Sequence, residues 1–364
     1  MDQPPSLPGA RPPSTDPTGT TLPVSDVYDR LPKVELHCHV EGTLRPRTVV
    51  ELARRNGRRL PVDDPRELYR YTSLDSFLEI FWLVQELLVT PDDWSRAAYE
   101  SLVDAVPHGL RHREMFFTPA RHLAAGQGLA GIIDGLSRGI ETAEAETGVR
   151  AFLIADMDKA YGPQAGLELV EAIADLRRSG RAERVIGVGM DSTELGVDHR
   201  AFRPAYEAAR RAGLRRAGHA GEAVGVGAEN VRIALDELGV ERIDHAIAVA
   251  EDPALMRRLA DERVPLTVCP NSNVIIANRY PSLAEHPFRR MREAGLLATL
   301  NTDDPALTDL DLGKEYRTVA AALHMTLADM TAVALDGIEA SFLDGSDKRA
   351  LRADFEEELA RLAV

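Results

Sequence analysis

Three apolar runs of this chain end in side chains that can hold a metal ion. His37 and His39 close the first run, His219 closes a later one within Gly-His-Ala-Gly-Glu, and Asp303 follows the last. Period-two alternation would place both imidazoles of the first run on one face of a strand. Imidazole is the commonest ligand of zinc-type ions, and a catalytic zinc keeps a position for water or substrate. The pattern predicts one metal site; channel-lining or hydrogen-bonded core histidines are the alternative interpretation.

Three further polar residues stand near these ligands in the sequence and could move protons. Glu222 lies three residues after His219 and can act as a general acid or base, although the first turn of a helix would also favour it. His245 can orient or deprotonate a water and stabilise developing charge, unless it is a hydrogen-bonded core histidine. Asp304 directly follows Asp303, and adjacent carboxylates are easier to accommodate beside a cation. An Asx-turn before the next proline is the alternative for Asp304.

The composition limits what such a site can act on. The 364 residues carry 43 basic and 58 acidic side chains, a formal charge of −15, which disfavours nucleic acids and anionic membranes as partners. The two cysteines lie far apart in apolar runs, so we expect no disulfide framework and a reducing, cytoplasmic location. No apolar run reaches membrane-spanning length, and the N-terminus lacks a signal-peptide pattern. A small molecule is the expected partner, and the oligomeric state is not predicted.

The elements that must position these residues alternate between β-type runs and helix-length segments. Strands alternating with amphipathic helices predict βαβ units and a parallel sheet, and eight such runs predict a (β/α)8 barrel of the TIM type in the α/β class. In that barrel the active site lies at the C-terminal ends of the strands, where the polar residues stand. The predicted strands are Val34–His39, Glu114–Thr118, Ala151–Asp156, Val185–Met190, Arg215–His219, Arg242–Ile247, Pro265–Cys269 and Leu297–Asn301.

Two segments do not fit the alternation. Residues 47–108 are too long for a simple crossover and look helical throughout, so we predict a helical insertion after the first strand, beside the barrel mouth. Residues 1–26 are rich in Pro, Ser, Thr and Gly and hold few apolar anchors, which predicts a disordered tail. Residues 27–364 would then form a single barrel domain.

Five short motifs follow one another along residues 31–310. They are Pro-Lys-Val-Glu-Leu-His-Cys-His-Val-Glu-Gly (32–42), Gly-His-Ala-Gly-Glu (218–222), Arg-Ile-Asp-His (242–245), Cys-Pro-Asn-Ser-Asn (269–273) and Asn-Thr-Asp-Asp-Pro (301–305). In this order they resemble the adenosine/adenine deaminase family of the amidohydrolase superfamily. The resemblance implies a hydrolase that acts on a carbon–nitrogen bond of a cyclic amidine. Such an enzyme replaces the 6-amino group of a purine by oxygen and releases ammonia.

The resemblance also implies a role for each residue singled out above. One Zn²⁺ per chain would be held by His37, His39, His219 and Asp303. Glu222 would protonate N1 of the purine ring, while His245 and Asp303 would position hydroxide for attack at C6. Asp304 would hydrogen-bond N7. Residues 27–364 would thus form a metal-dependent deaminase barrel.

A few positions bear on which purine is bound. Nucleoside deaminases usually have an aspartate that contacts the ribose at the position of Glu41, so Glu41 resembles the adenine branch, as does the stretch that contains Ser192. Thr118, Ala246 and Asn271 depart from the adenine-type pattern. We expect Glu41 and Ser192 to contact substrate and free adenine to be preferred over adenosine. A modified nucleoside such as aminodeoxyfutalosine is the alternative substrate.

Two other classes of function stay open on the residues alone. A related barrel metallohydrolase could cleave an amide or an ester, although the fourth run does not end in the lysine that a two-metal site often needs. A catalytically inactive binding protein could share the fold, although the set of ligands and proton-transfer groups is complete. Metal analysis and an ammonia-release assay separate these classes.

Overall fold

The barrel predicted from the alternating runs is confirmed. A computed structural model of the chain describes residues 24–62, 67–69, 71 and 74–362. In these residues eight parallel strands pair in the order β1-β2-β3-β4-β5-β6-β7-β8. The strands are β1 (Lys33–Glu35), β2 (Leu110–Phe117), β3 (Arg150–Asp158), β4 (Val185–Asp191), β5 (Arg215–Ala220), β6 (Arg242–His245), β7 (Pro265–Val268) and β8 (Leu297–Leu300).

The helices surround the strands and bury one large apolar cluster against them. They are α1 (Val24–Arg30), α2 (Pro46–Arg55), α3 (Leu74–Glu86), α4 (Pro91–Ala105), α5 (Ala120–Ala124), α6 (Leu129–Thr147), α7 (Gly162–Arg178), α8 (Arg203–Arg211), α9 (Glu229–Asp236), α10 (Pro253–Asp261), α11 (Pro270–Ile275), α12 (Phe288–Glu293), α13 (Leu312–Ala322), α14 (Leu327–Ala340) and α15 (Gly345–Leu362). Along the described part of the chain, none has both the length and the apolar character needed to cross a bilayer.

The helical insertion after β1 consists of α2, α3 and α4. Thr90 and Asp93 form a capping box that starts α4, because each side chain accepts from the backbone N–H of the other residue. Helix α4 packs closely on α6, since a Cβ atom added at Gly135 would lie 2.2 Å from the Pro91 carbonyl oxygen. The insertion is therefore docked on the outer helices of the barrel. Of the predicted tail, residues 1–23 lie outside the described residues, and α1 begins at Val24.

Strand β1 is shorter than predicted, and this changes how the barrel closes. It ends at Glu35, because the next backbone N–H, that of Leu36, donates to the Asn301 side chain at 2.8 Å instead of to a neighbouring strand. The Glu35 carboxylate in turn accepts from the Thr302 backbone N–H at 2.9 Å. Side chains thus replace part of the ladder between β8 and β1. We call the contact of residues 35–39 with residues 301–303 the closing seam.

Backbone pairing resumes beyond these side chains and carries the seam to the barrel mouth. The Asp303 N–H donates to the His37 carbonyl at 3.1 Å, and the His39 N–H donates to the Asp303 carbonyl at 2.9 Å. Isolated bridges join Cys38 to Asp303 and His39 to Phe116. The His-x-His motif therefore lies past the end of β1, on extended backbone that the last and second strands hold from either side.

Two buried ion pairs lie near the seam. Glu35 pairs with Arg113, and Glu114 pairs with Arg242, all with side chains at most 2% exposed. Although burial opposes ionisation, the Arg242 guanidinium lowers the pKa of Glu114 to about 2. The Glu114 carboxylate also accepts from the Phe342 N–H at 2.6 Å, so its charge is fully engaged.

We predict that Arg242→Met destabilises the fold strongly. Removing one partner of a buried pair leaves an uncompensated charge and costs about 3–5 kcal/mol. Arg215→Met on the neighbouring strand is the matched control, because Arg215 is 47% exposed and such pairs contribute about 0–1 kcal/mol. The midpoint of urea unfolding should fall for Arg242→Met alone, and equal midpoints would contradict the prediction.

Candidate active site

Four imidazoles meet at the C-terminal ends of the strands, as the sequence predicts. The ring centroid of His37 lies 4.6 Å from that of His219 and 4.6 Å from that of His245. His39 lies 5.3 Å from His37 and 5.3 Å from His219. All four side chains are buried. Such a cluster needs a cation or a specific hydrogen-bond network to be stable away from water.

The Asp303 carboxylate completes this cluster. Its Oδ1 atom lies 3.1 Å from His37 Nε2 and 3.3 Å from His39 Nε2. Its Oδ2 atom accepts from the Ser272 hydroxyl at 2.5 Å. Burial alone would raise the pKa of Asp303, but the facing imidazoles hold it well below the usual range. Asp303 therefore presents a negative charge to the centre of the cluster.

Other side chains hold three of the imidazoles from behind. His37 Nδ1 lies 3.2 Å from the Thr267 hydroxyl, which itself donates to Asp244 Oδ1 at 2.7 Å. The second oxygen of Asp244 lies 3.6 Å from His219 Nδ1. One buried carboxylate thus lies behind two rings, linked to His37 through the Thr267 hydroxyl and 3.6 Å from His219. A carboxylate behind an imidazole is the usual outer partner of a metal-binding histidine.

Asp156 takes the corresponding place behind His39. Its Oδ2 atom lies 3.6 Å from His39 Nδ1, and both residues are buried. Burial alone would lower the pKa of His39, but Asp303 and Asp304 raise it well above the usual range. The carboxylates around the His39 ring therefore stabilise a positive charge on or beside it.

The cluster fits a divalent cation. The buried Nε2 atom of His37 has no hydrogen-bond partner among the described residues. One candidate ligand atom from each of His37, His219, His245 and Asp303 lies within 4.8 Å of the others. Of the predicted ligands this tight group contains all but His39, which reaches the cluster through its contact with Asp303. Burial lowers the pKa of His219 and of His245, which keeps both rings neutral, and metal binding requires a neutral ring of His219.

Glu222 faces the cluster in a protonated state. Its Oε2 atom lies 3.5 Å from His245 Nε2. Burial and the charges of Asp303 and Glu194 raise the pKa of Glu222 to about 8. The carboxyl group is therefore mostly protonated at neutral pH, as a proton donor must be.

Two charged side chains of opposite sign hold the loop that carries Glu222. The Glu194 carboxylate accepts from the backbone N–H groups of Gly221 at 2.9 Å, Glu222 at 2.8 Å and Ala223 at 3.3 Å. On the other side, the Arg279 guanidinium donates to the Ala223 carbonyl at 2.6 Å and to the Val226 carbonyl at 3.0 Å. The loop backbone therefore has little freedom to move the Glu222 carboxyl group.

Asp304 lies against Gly42 in a buried position. A Cβ atom added at Gly42 would lie 1.9 Å from Asp304 Oδ1, so only glycine leaves room for this carboxyl group. Burial and the adjacent Asp303 carboxylate raise the pKa of Asp304 well above its usual range. Two consecutive aspartates thus differ in charge, because one faces the imidazoles and the other faces its neighbour. Asp304 Oδ1 has no hydrogen-bond partner in the described part of the chain.

Glu41 and Asp191 lie on either side of Thr118. The Thr118 N–H donates to Glu41 Oε1 at 2.8 Å, and its hydroxyl donates to Asp191 Oδ2 at 2.5 Å. Each carboxyl group keeps one buried oxygen without a partner within the described ranges. Burial raises the pKa of Glu41 to about 7. Ser192, the other predicted substrate contact, lies beside the Asp158 side chain at the adjacent strand end.

Several residues of the site have a signal in the sequence but no predicted role. Ser272 and Asn273 belong to the Cys-Pro-Asn-Ser-Asn motif, and Asp244 belongs to Arg-Ile-Asp-His. Asp156 closes the third predicted strand, and Glu194 ends the stretch around Ser192. Polar residues at the ends of barrel strands could have been assigned to the site on that ground.

The chain is similar to adenine deaminases along most of its length. The family model described as adenosine deaminase matches residues 32–358. An adenine deaminase of Streptomyces coelicolor is 41% identical over 333 residues, which cover 91% of this chain and 95% of the relative. An adenine deaminase of Wolinella succinogenes is 34% identical over 328 residues, covering 89% and 97% respectively.

Solved structures are similar in the same way. The crystal structure of an adenine deaminase from Arthrobacter aurescens superposes with a TM-score of 0.84 at 35% identity and covers 90% of this chain and 99% of that one. A Burkholderia ambifaria amidohydrolase with bound Zn gives a TM-score of 0.85 at 31% identity, with coverage of 96% and 97%.

We predict that Gly42→Ala displaces the Asp304 carboxyl group. The new methyl group needs a separation of about 3.5 Å from other heavy atoms, and the present 1.9 Å does not allow it. Gly128→Ala is the control, since a Cβ there would meet no atom of the described residues within 4 Å. Crystal structures of both variants measure the shift, and an unmoved Asp304 in Gly42→Ala would refute the constraint.

Proposed function

We propose, because the chain belongs to the adenosine deaminase family, that it is a zinc-dependent hydrolytic deaminase of a 6-aminopurine. The reaction takes water and the aminopurine and releases ammonia and the 6-oxopurine, and free adenine is the preferred substrate. One observation carries the proposal: a cluster of imidazoles and a carboxylate that could hold a cation lies at the strand ends beside the Glu222 carboxyl group, whose pKa is raised to about 8. The similarity to adenine deaminases of several bacteria supports it.

The ligand set we propose is His37, His39, His219 and Asp303. The Thr267 hydroxyl gives its hydrogen to Asp244, so it must accept from His37 Nδ1, which leaves a lone pair on His37 Nε2. Carboxylates behind the other two rings favour the same tautomer. When bound, the ion supplies the acidity that makes water a nucleophile near neutral pH. The zinc in the Burkholderia structure supports the choice of metal.

Glu222 is the proposed general acid. Attack at C6 of the purine moves negative charge onto N1, and the protonated Glu222 carboxyl group can neutralise it by giving its proton there. The hydrogen bonds from the loop backbone to Glu194 keep this group in place before the reaction. His245 and Asp303 are the proposed groups that hold the attacking oxygen, since His245 lies 3.5 Å from Glu222 and Asp303 faces the imidazoles.

Asp304 and Glu41 are the proposed contacts to the purine ring. Asp304 has a raised pKa and a buried, unpaired Oδ1 atom, so its protonated form can donate to an acceptor such as N7. Glu41 keeps Oε2 free and can accept from a ring N–H that a free base has and a nucleoside lacks. A site that leaves a buried polar group unpaired discriminates strongly against the analogue without the partner. Ser192, at the same end of the barrel, is the proposed outer contact.

We expect ammonia release to be fastest with adenine. The assay compares specificity constants for adenine, adenosine, deoxyadenosine and aminodeoxyfutalosine, alongside metal analysis that should find about one divalent ion per chain. His219→Ala should lose the metal and the activity together. His108→Ala should lose neither, because His108 belongs to a separate, half-exposed group with Asp29 and Asp311. No turnover of any aminopurine would end the proposal, and two ions per chain would contradict the single site.

A second prediction concerns the acid. Glu222→Gln keeps the size and the metal of the wild type but cannot deliver a proton, so turnover of adenine should fall by about 100- to 10,000-fold. Glu229→Gln, a nearby carboxylate with a 64% exposed side chain, should leave turnover unchanged. If Glu222→Gln keeps more than about a tenth of the wild-type rate, another group is the acid.

A further inference from the structure

A chain of hydrogen bonds leads from a backbone amide to His245. The Phe288 N–H donates to His286 Nδ1 at 3.2 Å. A backbone N–H is always a donor, so Nδ1 must be the acceptor of the imidazole. Burial lowers the pKa of His286 to about 3, so the ring is neutral. A neutral imidazole with an acceptor at Nδ1 carries its hydrogen on Nε2.

The Asn273 amide fixes which atom donates in the next hydrogen bond of this series. His286 Nε2 lies 3.2 Å from Asn273 Oδ1, and the N–H placed there by Phe288 donates to that oxygen. The amide nitrogen of Asn273 then faces His245 Nδ1 at 3.0 Å. An amide NH₂ group can only donate, so His245 Nδ1 accepts and the hydrogen of this ring is on Nε2. That nitrogen is the one 3.5 Å from Glu222.

We propose that the sequence of contacts Phe288–His286–Asn273 holds His245 in the tautomer with its hydrogen on Nε2, so that His245 acts as a hydrogen-bond donor in the reaction and not as the base. This rests on the proposed deaminase function. His286 and Asn273 are then positioning residues: they act through His245, because together they decide which of its nitrogens is able to donate.

The tautomer separates His245 from the other three imidazoles. Thr267 makes His37 an acceptor at Nε2, and the carboxylates behind His39 and His219 favour the same state. An Nε2 atom that carries hydrogen has no lone pair for a metal ion. With these tautomers, the four neighbouring histidines divide into three proposed ligands and one donor, although one ligand atom of His245 lies close to the same group.

A donor at this place has a defined task. As the oxygen nucleophile adds to C6, a hydrogen bond from His245 Nε2–H orients it and stabilises the charge that develops. Removing one such donor from an enzyme site typically costs about 100- to 1,000-fold in kcat. A histidine acting as base would need the opposite tautomer, in which Nδ1 carries the hydrogen and meets the hydrogens of the Asn273 amide.

Surrounding contacts hold Asn273, His286 and His245 in the positions that these hydrogen bonds need. Asn273 is fully buried, and its backbone N–H donates to the Cys269 carbonyl at 2.9 Å. The His286 ring contacts the Tyr280 ring edge-to-face at a centroid distance of 5.1 Å. His245 itself has a φ of 61°, a left-handed conformation that a non-glycine residue keeps only when its surroundings hold it.

The tautomer can be measured directly, without turnover. In ¹⁵N-histidine-labelled protein loaded with zinc, the nitrogen shifts and couplings of His245 tell whether Nδ1 or Nε2 carries the hydrogen; loss of its signals in His245→Gln assigns them. We expect hydrogen on Nε2 in the wild type. In Asn273→Asp the new carboxylate can only accept, so the hydrogen should appear on Nδ1. Hydrogen on Nδ1 of the wild-type ring would overturn the proposal, whatever the enzyme deaminates.

Kinetics of matched variants test the role. Asn273→Asp should lower kcat for adenine by about 100- to 1,000-fold with KM changed less than about threefold and the metal retained. His286→Gln keeps a donor for Asn273 and should stay within about threefold of the wild type. His286→Leu removes that donor, which allows the Asn273 amide to flip, so kcat should fall by about tenfold.

The control and the contrary outcomes are equally defined. The control is His122→Leu. His122 is also buried and also has an amide neighbour, Gln127, but it lies on α5, outside this series of hydrogen bonds, so kcat should not change. If Asn273→Asp does not fold, the pair His286→Gln and His286→Leu decides the matter. Equal kcat values for that pair, with an unchanged His245 tautomer, would show that His286 only fills space. A wild type that deaminates no aminopurine would instead end the proposed function and leave the tautomer result standing.

Discussion

The closing seam between β8 and β1 is the constraint on which the site depends. His37 and Asp303 stand on opposite sides of it, and a backbone hydrogen bond of 3.1 Å joins them directly. Behind this bond, the Asn301 side chain and the Glu35 carboxylate replace ladder partners. Glu35 is itself paired with Arg113, whose guanidinium also donates to the Ser101 carbonyl of α4. The spacing of the proposed ligands His37 and Asp303 is thus set first by main-chain pairing and by buried ion pairs, and then by the rotamers of their side chains.

Neighbouring carboxyl groups of the site differ in charge. Asp303 faces imidazoles and stays ionised, whereas Asp304, one residue later, is pushed towards its protonated form by burial and by Asp303. Burial and nearby carboxylates likewise raise the pKa of Glu222, to about 8. Pairs of titratable groups with pKa values driven apart are how enzymes obtain an acid and an anion side by side. The same principle acts on the imidazoles, where hydrogen-bond partners select the tautomer.

Much of this could be predicted from the sequence, because the signals are local. Strand β4 was predicted at Val185–Met190 and runs to Asp191, and β8 was predicted to end one residue after its end at Leu300. Strand β1 was predicted too long, since its end is decided by the Asn301 side chain, which lies 265 positions away. No period or spacing pairs Asn273 with His286 or Glu194 with the loop at Gly221. Those contacts arise only when neighbouring barrel segments are brought together.

The order of the ligands along the chain has a consequence for biosynthesis. His37 is made near the start of the barrel and Asp303 after its last strand, and the contacts of the seam join residues 265 positions apart. A growing chain can therefore fold helices and inner strand pairs while it is still on the ribosome, but it cannot yet offer the complete ligand set. An ion held by the proposed ligands can bind tightly only after residues 301–303 have emerged and the closing seam has formed. Its binding free energy would then add to the non-local contacts of the seam and hold the two ends of the barrel together.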